Sequence, residues 1–315
     1  MSNKTISRRR FVRDLALAGG AVLAGGGAAG ASERGKRDKL HVACNSYSWL
    51  VFFMRENRNL NSELDAALGE LAASQLDGYE PGANNPGELD RLGLLLKKHS
   101  LEMRSLYVNS VLHETEKAEQ SIETVLSIAS KAKTLGTKII VTNPSPIAWG
   151  GSQNKDDAQL KTQSAAMNKL GRQLKAMGLT LAYHNHDIEL RNAAREFHHM
   201  MVGTDPTYVT LCLDSHWVYR GAGNSQVALF DVVELYGPRI TELHLRQSND
   251  GIWAETMCDG DIDYRALAKH LLQIGVRPHM VLEQAVEKGT PKTMTSLEAF
   301  RKSSQYTRAV FGAFA

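Results

Sequence analysis

Cysteine is scarce in this 315-residue chain: Cys44, Cys212 and Cys258 are the only three, too few for a disulfide-built fold and odd in number. Cys212 lies in an apolar run, as a core residue would. No basic run follows Lys39, which removes the phosphate-neutralising face that a nucleic-acid binder needs. The longest apolar stretch, Leu15 to Ala31, is short and Gly-rich, a poor membrane span. The first apolar run after it leads into Asn45-Ser46-Tyr47-Ser48-Trp49 without a Gly-rich turn. That absence argues against an open doubly wound nucleotide-binding sheet and its phosphate cradle.

The first thirty-one residues read as an address. A basic start is followed by the apolar stretch and by the small-x-small triplet Ala29-Gly30-Ala31, the order of a secretory signal. The core Ser7-Arg8-Arg9-Arg10-Phe11 resembles the twin-arginine (Tat) signal, which exports folded proteins. The chain is therefore expected to use the Tat machinery, to be cut after Ala31 and to work in the periplasm or otherwise outside the cytoplasm. Such export suits a protein that takes up its cofactor before leaving the reducing cytoplasm. The whole chain has 37 Lys+Arg against 34 Asp+Glu, but residues 1–31 hold five basic residues and one acidic one. The mature part keeps 32 and 33, near neutrality, so the basic balance of the precursor says nothing about partners.

Residues 32–315 carry a strand-helix rhythm. Eight short apolar runs recur: Leu40–Cys44, Gly78–Glu80, Glu102–Val108, Lys138–Thr142, Thr180–Tyr183, Val209–Leu213, Ile240–Leu245 and Met280–Leu282. Unbroken runs of this length suit parallel strands buried on both faces. Between them Leu64–Leu76, Leu89–Lys98, Ala118–Leu135, Asp156–Met177 and Ala266–Ile274 show helical spacing, and the last three end in Gly136, Gly178 and Gly275, the residue type that favours a left-handed cap. Eight strand-helix units in one domain predict an α/β fold, a single (β/α)8 TIM barrel.

A barrel of this kind carries its site at the carboxyl ends of its strands. Polar residues follow the runs immediately, in His184-Asn185-His186-Asp187, Asp214-Ser215-His216-Trp217, His244-Leu245-Arg246 and Glu283-Gln284. Side chains two apart on a strand share a face, so His184, Asp214, His244 and Glu283 can converge. Two imidazoles and two carboxylates suit one divalent ion, with Mn²⁺, Zn²⁺ or Co²⁺ favoured over the oxygen-seeking Mg²⁺ and Ca²⁺. Either a hydrogen-bonded structural His or a helix-capping Asp would explain one such residue, but not four on four successive strands.

These stretches resemble the xylose isomerase-like TIM barrels, the sugar phosphate isomerase/epimerase superfamily, over nearly all of residues 40–300. The most specific are Tyr183-His-Asn-His-Asp187, Leu213-Asp-Ser-His-Trp217, His244 with Asp259-Gly-Asp-Ile-Asp263, and Leu282-Glu283. The resemblance implies metal ligands at Asp214, His244 and Glu283, and a substrate-binding carboxylate at Glu80. Where the epimerases have a glutamate after strand five, this chain has His184. One member of their two-glutamate proton-transfer pair is therefore missing, and Glu283 must work alone or with another group such as His186. The implied chemistry is removal of a proton beside a sugar carbonyl, leading to isomerisation, epimerisation or elimination (as in a keto-sugar dehydratase or keto-glycoside lyase). Export favours an unphosphorylated carbohydrate as substrate. Barrels of the family often pair, so a homodimer is an expectation of the resemblance.

Arg246 is read as binding a substrate oxygen or carboxylate, or pairing with Asp259 or Asp261. His216 is read as a substrate contact or an ordering partner, and Trp217 and Asn109 as sugar contacts, with Asn143 beside them. Trp49, Trp149 and Trp253 flank strand ends, where aromatics stack on sugars or pack. His198 and His199 sit in a helical stretch and are bystanders. Two functions of other classes compete. One is an exported sugar-binding protein without chemistry, which the His184 replacement would permit. The other is a phosphodiesterase resembling endonuclease IV, which the near-neutral mature charge and the export signal oppose.

Overall fold

Each apolar run becomes a strand. The computed structural model describes residues 39–315, so the export signal read at residues 1–31 lies outside the described residues. The strands are β1 (Val42–Asn45), β2 (Gly78–Glu80), β3 (Ser105–Tyr107), β4 (Ile139–Thr142), β5 (Thr180–His184), β6 (Val209–Asp214), β7 (Ile240–Leu245) and β8 (His279–Leu282). They form one parallel sheet in the order β2-β1-β8-β7-β6-β5-β4-β3. Its two edges meet through bridges between Gly78 and Glu102 and between Gly82 and Tyr107. There the Tyr79 N–H donates to the Glu102 carbonyl at 2.9 Å and the Tyr107 N–H to that of Pro81 at 3.0 Å. The result is the expected single, nearly closed TIM barrel.

The helices are α1 (Ser46–Arg55), α2 (Leu64–Ala73), α3 (Glu88–His99), α4 (Thr115–Thr134), α5 (Asp157–Ala176), α6 (Arg191–Gly203), α7 (Ser215–Gly221), α8 (Gln226–Tyr236), α9 (Tyr264–Gln273) and α10 (Ser296–Phe311). Gly136, Gly178 and Gly275 stand just past α4, α5 and α9 with φ of 100°, 74° and 75°. The segment after β1 is not a loop but α1, because Asn45 caps it by accepting the Tyr47 N–H at 2.7 Å. This moves Trp49 away from the barrel mouth: it is buried on the helical layer, stacked on Phe300 of α10 at 4.8 Å. Among the described residues, no helix is long and apolar enough to cross a membrane.

Strand alternation divides the core as period two requires. Leu181, Tyr183, Leu211, Leu213, Leu243 and Leu245 join the large apolar core. The opposite faces of β4, β5 and β6 turn Val141, Ala182 and Cys212 into a small separate cluster. Further along these inner faces the residues become polar, with His184, Asp214, Glu242 and His244 all fully buried. A charged barrel interior is costly unless its groups pair, and how they pair defines the site.

The outer layer is held at close range where α5 crosses the approach to β6. A Cβ on Gly171 would lie 2.3 Å from the Tyr208 carbonyl oxygen, which is backbone and cannot move aside. Gly171→Ala should therefore lower stability by about 1–3 kcal/mol in urea unfolding, through overpacking. Helix propensity alone would raise it by about 1 kcal/mol, so the sign of the change decides.

Candidate functional site

The carboxyl ends of β5 to β8 bring His184, Asp214, His244 and Glu283 together. Their ligand atoms all lie within 4.8 Å of one another, and all four residues are buried. His184 Nε2 is 3.1 Å from His244 Nδ1 and 3.5 Å from Glu283 Oε2, which in turn is 3.0 Å from His244 Nδ1. Asp214 Oδ2 is 3.9 Å from His184 Nε2 and has no hydrogen-bond partner. The other Asp214 oxygen accepts the Trp217 N–H at 2.8 Å, so the residue also caps α7. Asn185 points away from the cluster and fastens its two strands. It donates to the Asp214 carbonyl at 3.2 Å and accepts the Asp214 N–H at 3.1 Å.

His244 is shared between two carboxylate environments. Its Nε2 faces Glu242 Oε1 at 3.1 Å and Glu80 Oε1 at 3.2 Å. Burial opposes charge on the His244 ring, but Cys212, Glu80 and Glu283 overcome it and hold the imidazole well above its usual range. A cation on Nδ1 would replace the proton there and leave the Nε2–H donated to the other side, the tautomer-fixing arrangement common behind ligand histidines. Burial pushes the Glu242 carboxyl up to about 8, with Glu80 adding repulsion. Burial also acts on Glu80, but His244 outweighs it and holds that carboxyl down at about 2. Glu283 is likewise held well below the usual carboxylate range, because His244 and Arg246 overcome its burial.

A cavity of about 500 Å³ opens above the cluster, walled by Asn109, Trp149, His186, Trp217, Arg246 and Glu283, with Tyr47 and Tyr107 among its other linings. Of the four clustered residues, only Glu283 reaches this wall. Arg246 is fully buried, its guanidinium 4.9 and 4.3 Å from the ring centres of Trp217 and Trp253, which pack edge-on to each other at 5.5 Å. Its Nε donates to the Glu283 carbonyl at 2.9 Å, while Nη2 stands 3.4 Å from Glu283 Oε2. Neither terminal nitrogen has a hydrogen-bond partner. Asp259 and Asp261 are not its partners: Asp261 accepts from Ser248 and two loop amides, and Asp259 from Tyr306. His186 packs edge-on to Trp149 at 4.9 Å and to His184 at 4.8 Å. Burial, reinforced by His184, holds its imidazole well below the usual range, so it is neutral.

Two residues read as substrate contacts lie outside this wall. Glu80 is fully buried beneath His244, where it accepts from Asn45 Nδ2 at 2.6 Å. His216 is hydrogen-bonded to Ser248 at 2.9 Å and packed on Tyr219 and Trp253, which anchors the hairpin of Ser248–Asn249 and Ile252–Trp253. Asn143 does not face the cavity either; it donates to the His184 carbonyl at 3.0 Å and to Glu189 Oε1 at 3.2 Å. His198 bonds to Tyr236 in the helical layer, away from the site. Glu242 and Glu189 had not been singled out. Glu242 shares the strand face of His244 two positions away, a pattern visible in Ile240–Leu245. Glu189 has no such signal, because it returns from the loop after β5.

A family model described as a xylose isomerase-like TIM barrel matches residues 68–309. An inosose dehydratase of Clostridium perfringens is 25% identical over 193 residues, 58% of this chain and 63% of that protein, so the match spans less than two thirds of its length. One from Clostridium botulinum is 22% identical over 86% of this chain and 97% of its own. Among solved structures, a sugar phosphate isomerase/epimerase of Parabacteroides distasonis superposes with a TM-score of 0.67 at 18% identity, covering 87% of this chain and 96% of that one. A 3-keto-D-glucoside 4-epimerase from E. coli gives 0.64 at 13% identity, over 86% and 100%. The IOLI protein, solved with a zinc atom, gives 0.63 at 19%, over 88% and 99%. At these identities the superpositions show a shared fold.

Glu189 accepts the His186 N–H at 2.6 Å and so fixes that residue's backbone. Burial, with Glu196 adding to it, raises the Glu189 carboxyl to about 7. The folded protein thus holds a proton that the unfolded chain has lost above about pH 4.3. Stability from this group is full below that pH and is lost as pH rises to about 7, by up to about 3 kcal/mol. Glu189→Gln should flatten the urea-midpoint profile across that window; unchanged slopes would refute the assignment.

Proposed function

The chain belongs to the xylose isomerase-like TIM barrel family, and from that premise we propose that it is a metal-dependent sugar-converting enzyme that removes a proton from the carbon beside a carbonyl. The observation that carries this is the single carboxylate, Glu283, that joins the buried donor cluster to the cavity wall. The donor set fits a divalent cation: two imidazole nitrogens, two carboxylates, and one carboxylate oxygen, Asp214 Oδ2, buried with no other partner. His184, Asp214, His244 and Glu283 would hold it. When bound, such a cation supplies Lewis acidity to a carbonyl oxygen, which acidifies the neighbouring C–H. The zinc in a neighbour of the same fold supports this reading without identifying the metal.

Glu283 is the base. It is ionised, it borders the cavity, and Arg246 and His244 favour its charged form. Arg246 offers two Nη groups without hydrogen-bond partners, one of them 3.4 Å from Glu283 Oε2, to an oxygen that gains charge as the C–H bond breaks. Neutral His186 can hydrogen-bond a hydroxyl through its ring. Trp149 and Trp217 give a sugar ring apolar faces. With His184 in place of a second clustered glutamate, Glu283 is the one carboxylate of the cluster at the reacting face, and Asp187 lines the wall outside the cluster. This favours elimination over two-base epimerisation: Glu283 takes the proton from carbon and gives it to the departing β-oxygen, a C–O bond breaks, and a double bond remains. The inosose dehydratase relatives point the same way.

Two experiments test this. Plasma mass spectrometry should find about one equivalent of Mn²⁺, Zn²⁺ or Co²⁺ in the wild type, lost in Asp214→Asn. In D₂O with a cyclic keto-polyol or keto-sugar, Glu283→Gln should slow deuterium exchange or elimination by roughly 10²–10⁴-fold. Sugar binding by the wild type without any exchange would instead make it a binding protein.

Export belongs to the same proposal, supported by the basic, apolar and small-residue order of residues 1–31. Arg8→Lys with Arg9→Lys should leave the protein in the cytoplasm on cell fractionation, while wild type reaches the periplasm. Equal distribution of the two would remove the export reading.

A further inference from the structure

The cavity over Glu283 does not end at its own wall. A second chamber of about 680 Å³ adjoins it, and the two share Ser46, Tyr47, Gly82, Tyr107 and Asn109. The first chamber, about 500 Å³, is already in the range that holds a drug-sized ligand, and a single sugar ring leaves the second unfilled. We infer that the substrate is a two-ring carbohydrate, with the reacting ring over Glu283 and a second sugar ring in the side chamber. This rests on the proton-abstraction reading for what happens in the first chamber, but not for what binds in the second.

The side chamber has the composition a sugar ring requires. Its inner surface is apolar, with Leu60, Leu64, Leu92, Tyr79 and Pro81. Tyr47, which lines both chambers, and Leu50, three residues on along α1 and lining the side chamber, stand 42% and 39% exposed, an uncovered apolar ledge for the C–H face of a ring. Hydrogen-bonding groups edge that surface: the Asn61 and Asn84 amides and the Arg91 guanidinium. Glu88 is already occupied, accepting from the Asn84 N–H at 3.0 Å and Asn85 Nδ2 at 2.8 Å. That bond holds the backbone of Asn84 and leaves its side-chain amide for a ligand. An apolar floor with polar edges matches a ring that is apolar on its faces and hydroxylated around its rim.

The neck between the chambers is narrow in chain terms and open in space. Gly82 forms one side, its N–H donating to Ser46 Oγ at 3.1 Å. A Cβ there would meet only that oxygen, at 3.8 Å. Gly82 lines both chambers, and the space its side chain would enter is otherwise open, which leaves room there for the linkage between the two rings.

The test is calorimetry on the metal-loaded protein with glucose, maltose, cellobiose and phenyl glucoside, none of which needs to react. A disaccharide should bind at least ~10-fold more tightly than glucose, and Asn84→Ala with Arg91→Ala should remove most of that advantage. Gly82→Leu, which narrows the neck, should remove it too. Equal affinity for glucose and both disaccharides overturns the inference, and so does tighter binding of phenyl glucoside alone, which would make the chamber an aryl site. Deuterium exchange on a one-ring keto-sugar reads the first chamber separately. Exchange without disaccharide preference sinks only this inference, and disaccharide preference without exchange sinks only the proposed chemistry.

Discussion

The architecture turns on His244, a fully buried imidazole with carboxylates on both sides. Glu80 and Glu242 face one nitrogen and Glu283 the other. Each of these acids alone would be expensive to bury. Together they are tolerable because one cation-capable ring serves all of them and the two strands beside it fix the distances. The arrangement also decides what the neighbours can do. Glu80, tied to Asn45 and His244, is drawn beneath the site, and Glu283 is left as the cluster's acid at the cavity.

Much of this was legible in the sequence, for a specific reason. Parallel barrel strands are buried on both faces, so they appear as unbroken apolar runs, and the first polar residue after each run marks its carboxyl end. His184, Asp214, His244 and Glu283 all carry that mark, and the structure brings all four together. Gly136, Gly178 and Gly275 closed their helices as their positions imply. Where sequence reasoning fell short, the cause was either direction or distance. Trp49 lies after a strand but belongs to α1, which points it at Phe300. His216 shares parity with Asp214, yet it is already in a helix, where strand parity no longer applies. Glu189 acts across a turn of chain that no periodicity describes.

The tryptophans show how a hairpin outside the barrel helps to shape its interior. Trp217 comes from α7 and Trp253 from the hairpin, and their edge-on pair forms the surface on which Arg246 rests. Arg220 reinforces the hairpin by pairing with Glu287 at 2.8 Å and donating to the Gly251 carbonyl at 2.8 Å. The guanidinium is thereby stiffened at one angle, with its Nε on the Glu283 carbonyl. A charge held this firmly needs little reorganisation when a substrate oxygen arrives, the condition under which electrostatic stabilisation is most effective.

The join between β2 and β3 makes the barrel a split ring. Elsewhere adjacent strands are joined by paired ladders, with a register shift between β6 and β7 at Leu211 and Cys212, but here only isolated bridges hold the hoop shut. Breathing of the ring will concentrate at that gap, where few backbone bonds need to break. The gap runs directly into Pro81, Gly82 and Tyr107, which wall the side chamber. The least-bonded join of the hoop thus borders the side chamber, while His184, Asp214, His244 and Glu283 stand at the ends of β5 to β8, whose paired ladders hold them in register.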